Sequence, residues 1–455
     1  MDIKQLLQRY DQLKAERNNW DRDYEDIALY SLPGKADFIT QRSSGDKNRR
    51  KDIYDPTALV ANHTLASHMH MALTSPSSPW FGLKFKQDAL ETDEAMEWLE
   101  TATERMMSTI NNSNFVASVN EHYQDLVAFG TAVLHVGFKN DPMEGFKLVF
   151  NAVPLNETLF LEDVHGKADT VFREVKYSAR QALQKWPDAK LEKMRELGKS
   201  QPDRPITYIN VIYPNEKYNP GEIDSRPYTS VWFTKSDPEL IEESGYYELP
   251  YMIPRWSKMS TERVGYGPGV MALADVRVLN DAKRLELRSW EKAIDPPILG
   301  MAGGVIGDLH MEAGGFTQVR DTRAITPMAD QANWTAVQIK SEELRKNIQS
   351  VYLIDQLILP ERPNATATEV QIRYEMMQKV LGPTMGRLQA ELLNPLVKRV
   401  MNIMYRNNQF AEMPQELSQV QGQDILHIEY TGPLSKAQTA GDAVAIERFM
   451  LSLIH

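Results

Sequence analysis

Residues 265–297 read GYGPGVMALADVRVLNDAKRLELRSWEKAIDPP. Pro268 suits the first turn of a helix, where its missing N–H is not needed, and Asp295-Pro296-Pro297 stops any helix that reaches it. The pattern predicts one uninterrupted helix over 270–294, and its 25 residues at about 1.5 Å each would span about 37 Å. A second helical pattern runs through SEELRKNIQSVYLIDQLIL at 341–359. The stretch between them holds Gly300, Gly303, Gly304, Gly307, Gly314 and Gly315 and is too long for a plain loop. It reads as a small subdomain of its own, with strands in GFTQVRDTRAITPM, carried between two long helices.

The last turns of the second helix pose a burial problem. Val351, Tyr352, Leu353, Ile354, Leu357, Ile358 and Leu359 cover its whole circumference, so it must be buried on all sides. Either the body of the protein wraps this end or neighbouring copies do. Because the pair is expected to project, we expect neighbours, with Val351, Tyr352, Ile354, Leu357 and Ile358 at a subunit interface.

Upstream, Ile3, Leu6, Tyr10, Leu13, Trp20, Tyr24 and Ile27 form one apolar stripe, with Arg17 in the single polar slot. The polar, locally basic stretch 34–56 follows, then a helix to Leu73 ended by TSPSSPW. Residues 91–135 predict two helices, the second passing through Gly130 into a strand at Val133–Phe138. Strand-like runs follow: FKLVFNAV, TLFLEDV, TVFREVKY, ITYINVIYPN, YTSVWFT and YYELPYMIPRW, interrupted by a helix at 178–198. The body is therefore α+β with mostly antiparallel sheet. Downstream, LPERPNATATE (359–369) is a polar loop whose Thr366 and Glu369 match a capping box. The helix it launches carries the stripe Leu381, Leu388, Leu392, Leu396, Val400 and Met404. Gly382-Pro383 and Pro395 should bend it.

Familiar chemistry is missing. The chain has 455 residues and no cysteine, which removes disulfides, thiolate metal sites and cysteine nucleophiles. His63, His68 and His70 are five and two apart, so they do not share a helical face as metal-binding pairs do. There is no phosphate-loop motif and no nucleophile elbow, and GYGPG reads as a turn before a helix. We expect no enzyme, no metal and no cofactor. The first thirty residues lack the apolar core of a leader, and no stretch approaches a bilayer span, so a soluble chain is expected. The net charge of −11 argues against a tight grip on nucleic acid, though not against a surface that DNA slides past.

SPSSPWFGLKF (75–85), FGTAVLHV (129–136), YMIPRWSKMSTERVGYGPGVMALADVRVLN (251–280), DPPILG (295–300) and TATEVQIRYEMMQKVLGPTMGRLQAELLNPLVKRV (366–400) occur in this order. Together they resemble the portal, or head-to-tail connector, proteins of short-tailed bacteriophages. The resemblance implies a ring, usually of twelve copies, around a channel for double-stranded DNA. It implies a virion protein at the capsid vertex, assembled in the host bacterial cytoplasm, with no membrane partner. Terminase large subunit, tail adaptor, major capsid and scaffold proteins are the implied partners. The portal-type fold it implies divides the chain into an α+β wing (1–265), stem helices (266–294 and 341–358) and a clip (295–340). A tunnel loop (359–369) and a long kinked helix returning to the wing (366–430) follow. Residues 431–455 begin a helix without a C-cap, as the start of a crown cut short. Glu361, Arg362 and Asn364 would face DNA in the tunnel loop, and Arg277, Lys283, Arg284 and Arg288 would line the channel on the stem. A ring-forming capsid or tail scaffold without a DNA channel is the alternative, and a soluble α+β enzyme a more distant one.

Overall fold

The computed structural model describes residues 2–40, 51–86, 92–141, 143, 145–187, 201–222, 225–294, 298–300, 302–303, 306, 318–320, 323, 325–327, 334–357, 382, 384–412, 414 and 426–431. Its main helices are α1 (Ile3–Ser31), α2 (Thr57–Leu73), α3 (Asp93–Asn111), α4 (Phe115–Phe129), α5 (Ala179–Lys185), α6 (Pro268–Ile294), α7 (Trp334–Val351), α8 (Ile354–Leu357) and α9 (Asn394–Arg406). The strands are β1 (Phe81–Phe85), β2 (Val133–Asp141), β3 (Gly145–Val153), β4 (Thr158–Glu162), β5 (Ala168–Ser178) and β6 (Pro205–Pro214). They continue with β7 (Tyr228–Thr234), β8 (Leu240–Tyr246), β9 (Tyr251–Met252), β10 (Ile298–Gly300), β11 (Ile325–Pro327) and β12 (Leu426–Tyr430).

The strands form an antiparallel five-stranded sheet β4-β5-β6-β7-β8, a three-stranded sheet β3-β2-β9, and the pairs β1-β12 and β10-β11. The apolar stripe of α1 explains its place: Leu6, Tyr10 and Leu13 pack on Phe172, Ile209, Val211 and Phe233 of the large sheet. Tyr24 and Ile27 reach into a second cluster with Phe129, Val133 and Leu273. The polar slot also has its reason. Arg17 donates to the backbone carbonyls of Leu155, Asn156 and Thr158 at 2.8–3.0 Å and to Asp21, tying the helix to the turn before β4.

The largest core draws on α2, α3, α4, β2, β3, α6, α7 and α9 together. The base of the long helix pair is thus part of the body: Ala272, Val276 and Leu279 of α6 and Leu344 and Ile348 of α7 share its core.

The predicted elements occur with several differences: α5 ends at Lys185 where a helix over 178–198 is expected, and the sequence patterns mark neither β1 nor β12. β8, LIEESGY, escaped a reading that follows apolar alternation, because it is an edge strand with Glu242 and Glu243 on it. α7 begins at Trp334, well before the predicted 341, and does not run to 359; Leu353 at φ 61° breaks it after Val351. Pro395 does not mark a simple kink. Gln389–Leu393 form a π turn, in which the Asn394 N–H reaches Gln389 O, and Pro395 stands in the first turn of α9 just beyond it.

Candidate functional site

The footing of the helix pair α6/α7 is unusual. Gly130, at φ 74°, ends α4. A Cβ there would stand 2.2 Å from Gly267 N and 2.5 Å from Gly265 O, and one on Gly269 would stand 2.3 Å from Ala128 O. GYGPG is therefore neither a nucleotide loop nor a plain turn. Its glycines let the start of α6 lie backbone against backbone on the end of α4. Gly265 N donates to Thr131 Oγ1 at 2.7 Å, and Trp256 N to Gly130 O at 2.8 Å, closing the joint.

Polar clasps hold the pair laterally. Arg277 donates to Asp26 at 2.6 Å and Asp23 at 3.0 Å on α1. Asn280 accepts from Tyr54 N and donates to Asp52 O, while Arg345 of α7 pairs with the buried Asp55 at 2.8 Å. The stretch 52–55 thus bridges both helices. Hydrogen bonds from Thr57 and Arg345 hold Asp55 below the ordinary carboxylate range, although burial alone would raise it.

Of the four stem cations expected to line a channel, three have carboxylate partners in their own chain. Arg277 is turned to α1, Lys283 pairs with the buried Glu286 at 2.6 Å, and Arg284 pairs with Asp281 at 3.0 Å. Arg288 is exposed. Glu361, Arg362, Asn364, Ile358 and Pro383 lie outside the described residues, as does the Thr366/Glu369 capping box; Gly382 is helical.

The expectation that neighbouring subunits bury Tyr352 and Ile354 is overturned. Tyr352 is 0% and Ile354 9% exposed within their own chain, packed with Leu344 and Ile348 in the main core. Tyr352 OH lies 3.2 Å from Ser31 Oγ at the end of α1, and Val351 packs on the same core. α2 also meets the short turn α8 that follows α7, so the body wraps Tyr352 and Ile354. The pair is seated in the body at its base, so of the two ways of burying this end the body, not neighbouring copies, is the one observed for Tyr352 and Ile354.

Exposed apolar residues lie elsewhere, along α6: Met271 at 55%, Val278 at 56% and Leu285 at 59%. Seven residues apart, they keep one helical face with a drift of about 20° per step. Leu287, Trp290 and Ile294 are exposed on a side roughly 140° away around the helix.

A largely buried charge cluster joins the β9–α6 connection, β4 and the π turn. Arg255, 1% exposed, donates from Nη2 to Glu391 Oε1 at 2.6 Å and from N and Nε to Glu391 Oε2 at 2.9 and 3.1 Å. Its Nη1 reaches Glu162, which Lys258 also holds at 2.6 and 2.8 Å. Nothing in the sequence patterns singled out these residues. The available signal was a cation in the apolar run YMIPRW, which must find carboxylates wherever it is buried.

Among the described residues no group of His, Asp and Glu could hold a metal ion, and no helix is long and apolar enough to cross a membrane. Residues 3–453 match the family described as bacteriophage head to tail connecting protein. The chain belongs to that family. The connector chain is 29% identical to the portal protein of Salmonella phage epsilon15, over 96% of its own length and 80% of the relative's. It is 27% identical to the probable portal protein of Bordetella phage BPP-1, over 99% and 82%. It also aligns with a chain from the virion of a native gene transfer agent particle, at TM-score 0.43 and 9% identity, covering 94% and 89%. The family and these relatives describe a structural connecting role in a phage particle rather than a catalysed reaction.

Proposed function

We propose that this connector is the repeating subunit of a portal: a closed ring, of twelve copies, at the capsid vertex, through which double-stranded DNA is packaged and ejected. The observation that carries the reading is the pair of separate apolar faces on α6. Met271, Val278 and Leu285 form one face; Leu287, Trp290 and Ile294 form another. A two-fold dimer needs one self-complementary patch, whereas a head-to-tail ring needs two different ones on each subunit. The relatives named portal proteins along nearly the whole chain support the same reading.

In such a ring the stem is α6 with α7, and the stretch between them, including β10 and β11, is the clip to which terminase large subunit and tail adaptor dock. Residues 359–369 are the loop facing DNA, with Glu361, Arg362 and Asn364 as its contacts. Pairing of Arg277, Lys283 and Arg284 inside their own subunit suits a passage that must not hold phosphates. Each copy adds a net charge of −11.

The test is sedimentation velocity and negative-stain imaging of the purified full chain at micromolar concentration. The reading expects closed rings with an axial hole wide enough for hydrated duplex DNA. A persistent monomer would overturn the ring. A closed ring with a hole too narrow for duplex would instead favour a scaffold ring without a DNA passage.

A further inference from the structure

Pro395 lacks the N–H that would bond Glu391 O in a regular helix, and its ring crowds that same carbonyl. The helix responds one turn upstream: Gln389–Leu393 adopt the wider π turn. The extra residue in the turn changes where Glu391 points. In a regular helix Glu391 and Arg387, four apart, would be close neighbours. Here Arg387 keeps a long ion pair with Glu391 at 3.7 Å, while Glu391 takes three shorter hydrogen bonds of 2.6–3.1 Å from Arg255.

Arg255 cannot follow if Glu391 moves. All five of its side-chain N–H groups are placed, on Glu391, Glu162, Arg263 O and Gly166 O. The helix beyond the π turn is equally fixed. Glu248 accepts from Arg399, Asn402 and both terminal nitrogens of Arg406, and Arg399 Nε donates to Val136 O at 2.8 Å. Upstream, a Cβ on Gly382 or Gly386 would meet nothing within 4 Å among the described residues.

We infer that Arg255 and Glu391 form a latch that holds the helix through 384–406 in its π register, and that the alternative is a regular α register in which Glu391 gives up its hydrogen bonds to Arg255 and tightens its long ion pair with Arg387. Closing the π turn would rotate the upstream residues 384–388 by roughly 100° and advance them about 1.5 Å, while α9 stays in place. Leu388, 1% exposed, would leave the core in that move, so the latched register is the resting one. The inference holds whether or not the subunit surrounds DNA.

The Arg255 amide itself donates to Glu391, so its hydrogen exchange in the full chain reads the latch. Pro395→Ala restores the missing donor; we expect exchange at the Arg255 amide to rise by about tenfold or more, with a newly protected amide at position 395. Arg387→Ala, at a partly exposed site, removes the competing partner and should slow the Arg255 amide by about twofold or more. An Arg255 amide unchanged in both variants, or faster in Arg387→Ala, would overturn the latch; a Pro395→Ala chain that fails to fold leaves the second variant to decide.

Discussion

Gly130 shows how much one side chain can matter. Its φ of 74° and the backbone atoms 2.2–2.6 Å from a virtual Cβ leave no room for alanine. Gly130→Ala should lower unfolding free energy by more than about 2 kcal/mol, read from the denaturant midpoint. Glu174 makes a prediction of a different kind. Burial would raise its pKa, but hydrogen bonds from Lys235 and Tyr10 and the charges of Lys14 and Lys235 prevail and bring it from 4.5 to about 2. A carboxylate with a lowered folded pKa stabilises above its unfolded pKa and loses that contribution as pH falls through the folded one. The stability advantage of the wild type over Glu174→Gln should therefore be complete above about pH 4.5 and vanish toward about pH 2, as followed by midpoints across that range.

At the scale of elements, Tyr352 and the exposed face of α6 separate stability from assembly. Tyr352→Phe removes the hydroxyl contact to Ser31 and should cost about 1 kcal/mol without changing the number of subunits. Val278→Glu or Leu285→Glu should leave the isolated subunit's thermal transition nearly unmoved and abolish assembly, seen as a slower sedimenting species. The same two places show what a chain alone reveals. α6 was legible because Pro268 and Asp295-Pro296-Pro297 bound it and nothing inside interrupts it. The apolar end of α7 was legible as buried, but not by what, because periodicity describes one helix and not its surroundings. The burial fell to α1 and α2, and the exposed apolar residues lay on α6 instead. The Arg255–Glu391 contact was out of reach for a similar reason: the two residues are 136 positions apart, and a π turn sets their meeting.

For the whole molecule, the proposed passage makes a claim about salt. If the wall carries few unpaired cations, assembled rings should bind short duplex DNA weakly, and affinity should change by less than about tenfold between 50 and 200 mM salt, measured by fluorescence anisotropy. A steep salt dependence would instead mean that many phosphates are gripped at once. Any force that arrives at the far end of α6 travels down to the glycines at 265, 267 and 269, where main chain rests on main chain of α4. Side chains can absorb displacement by changing rotamer; two touching backbones cannot. The foot of the stem should therefore act as a stiff bearing. In the proposed ring, deflection of α6 would pass undamped into α4 and the sheet strand that follows it.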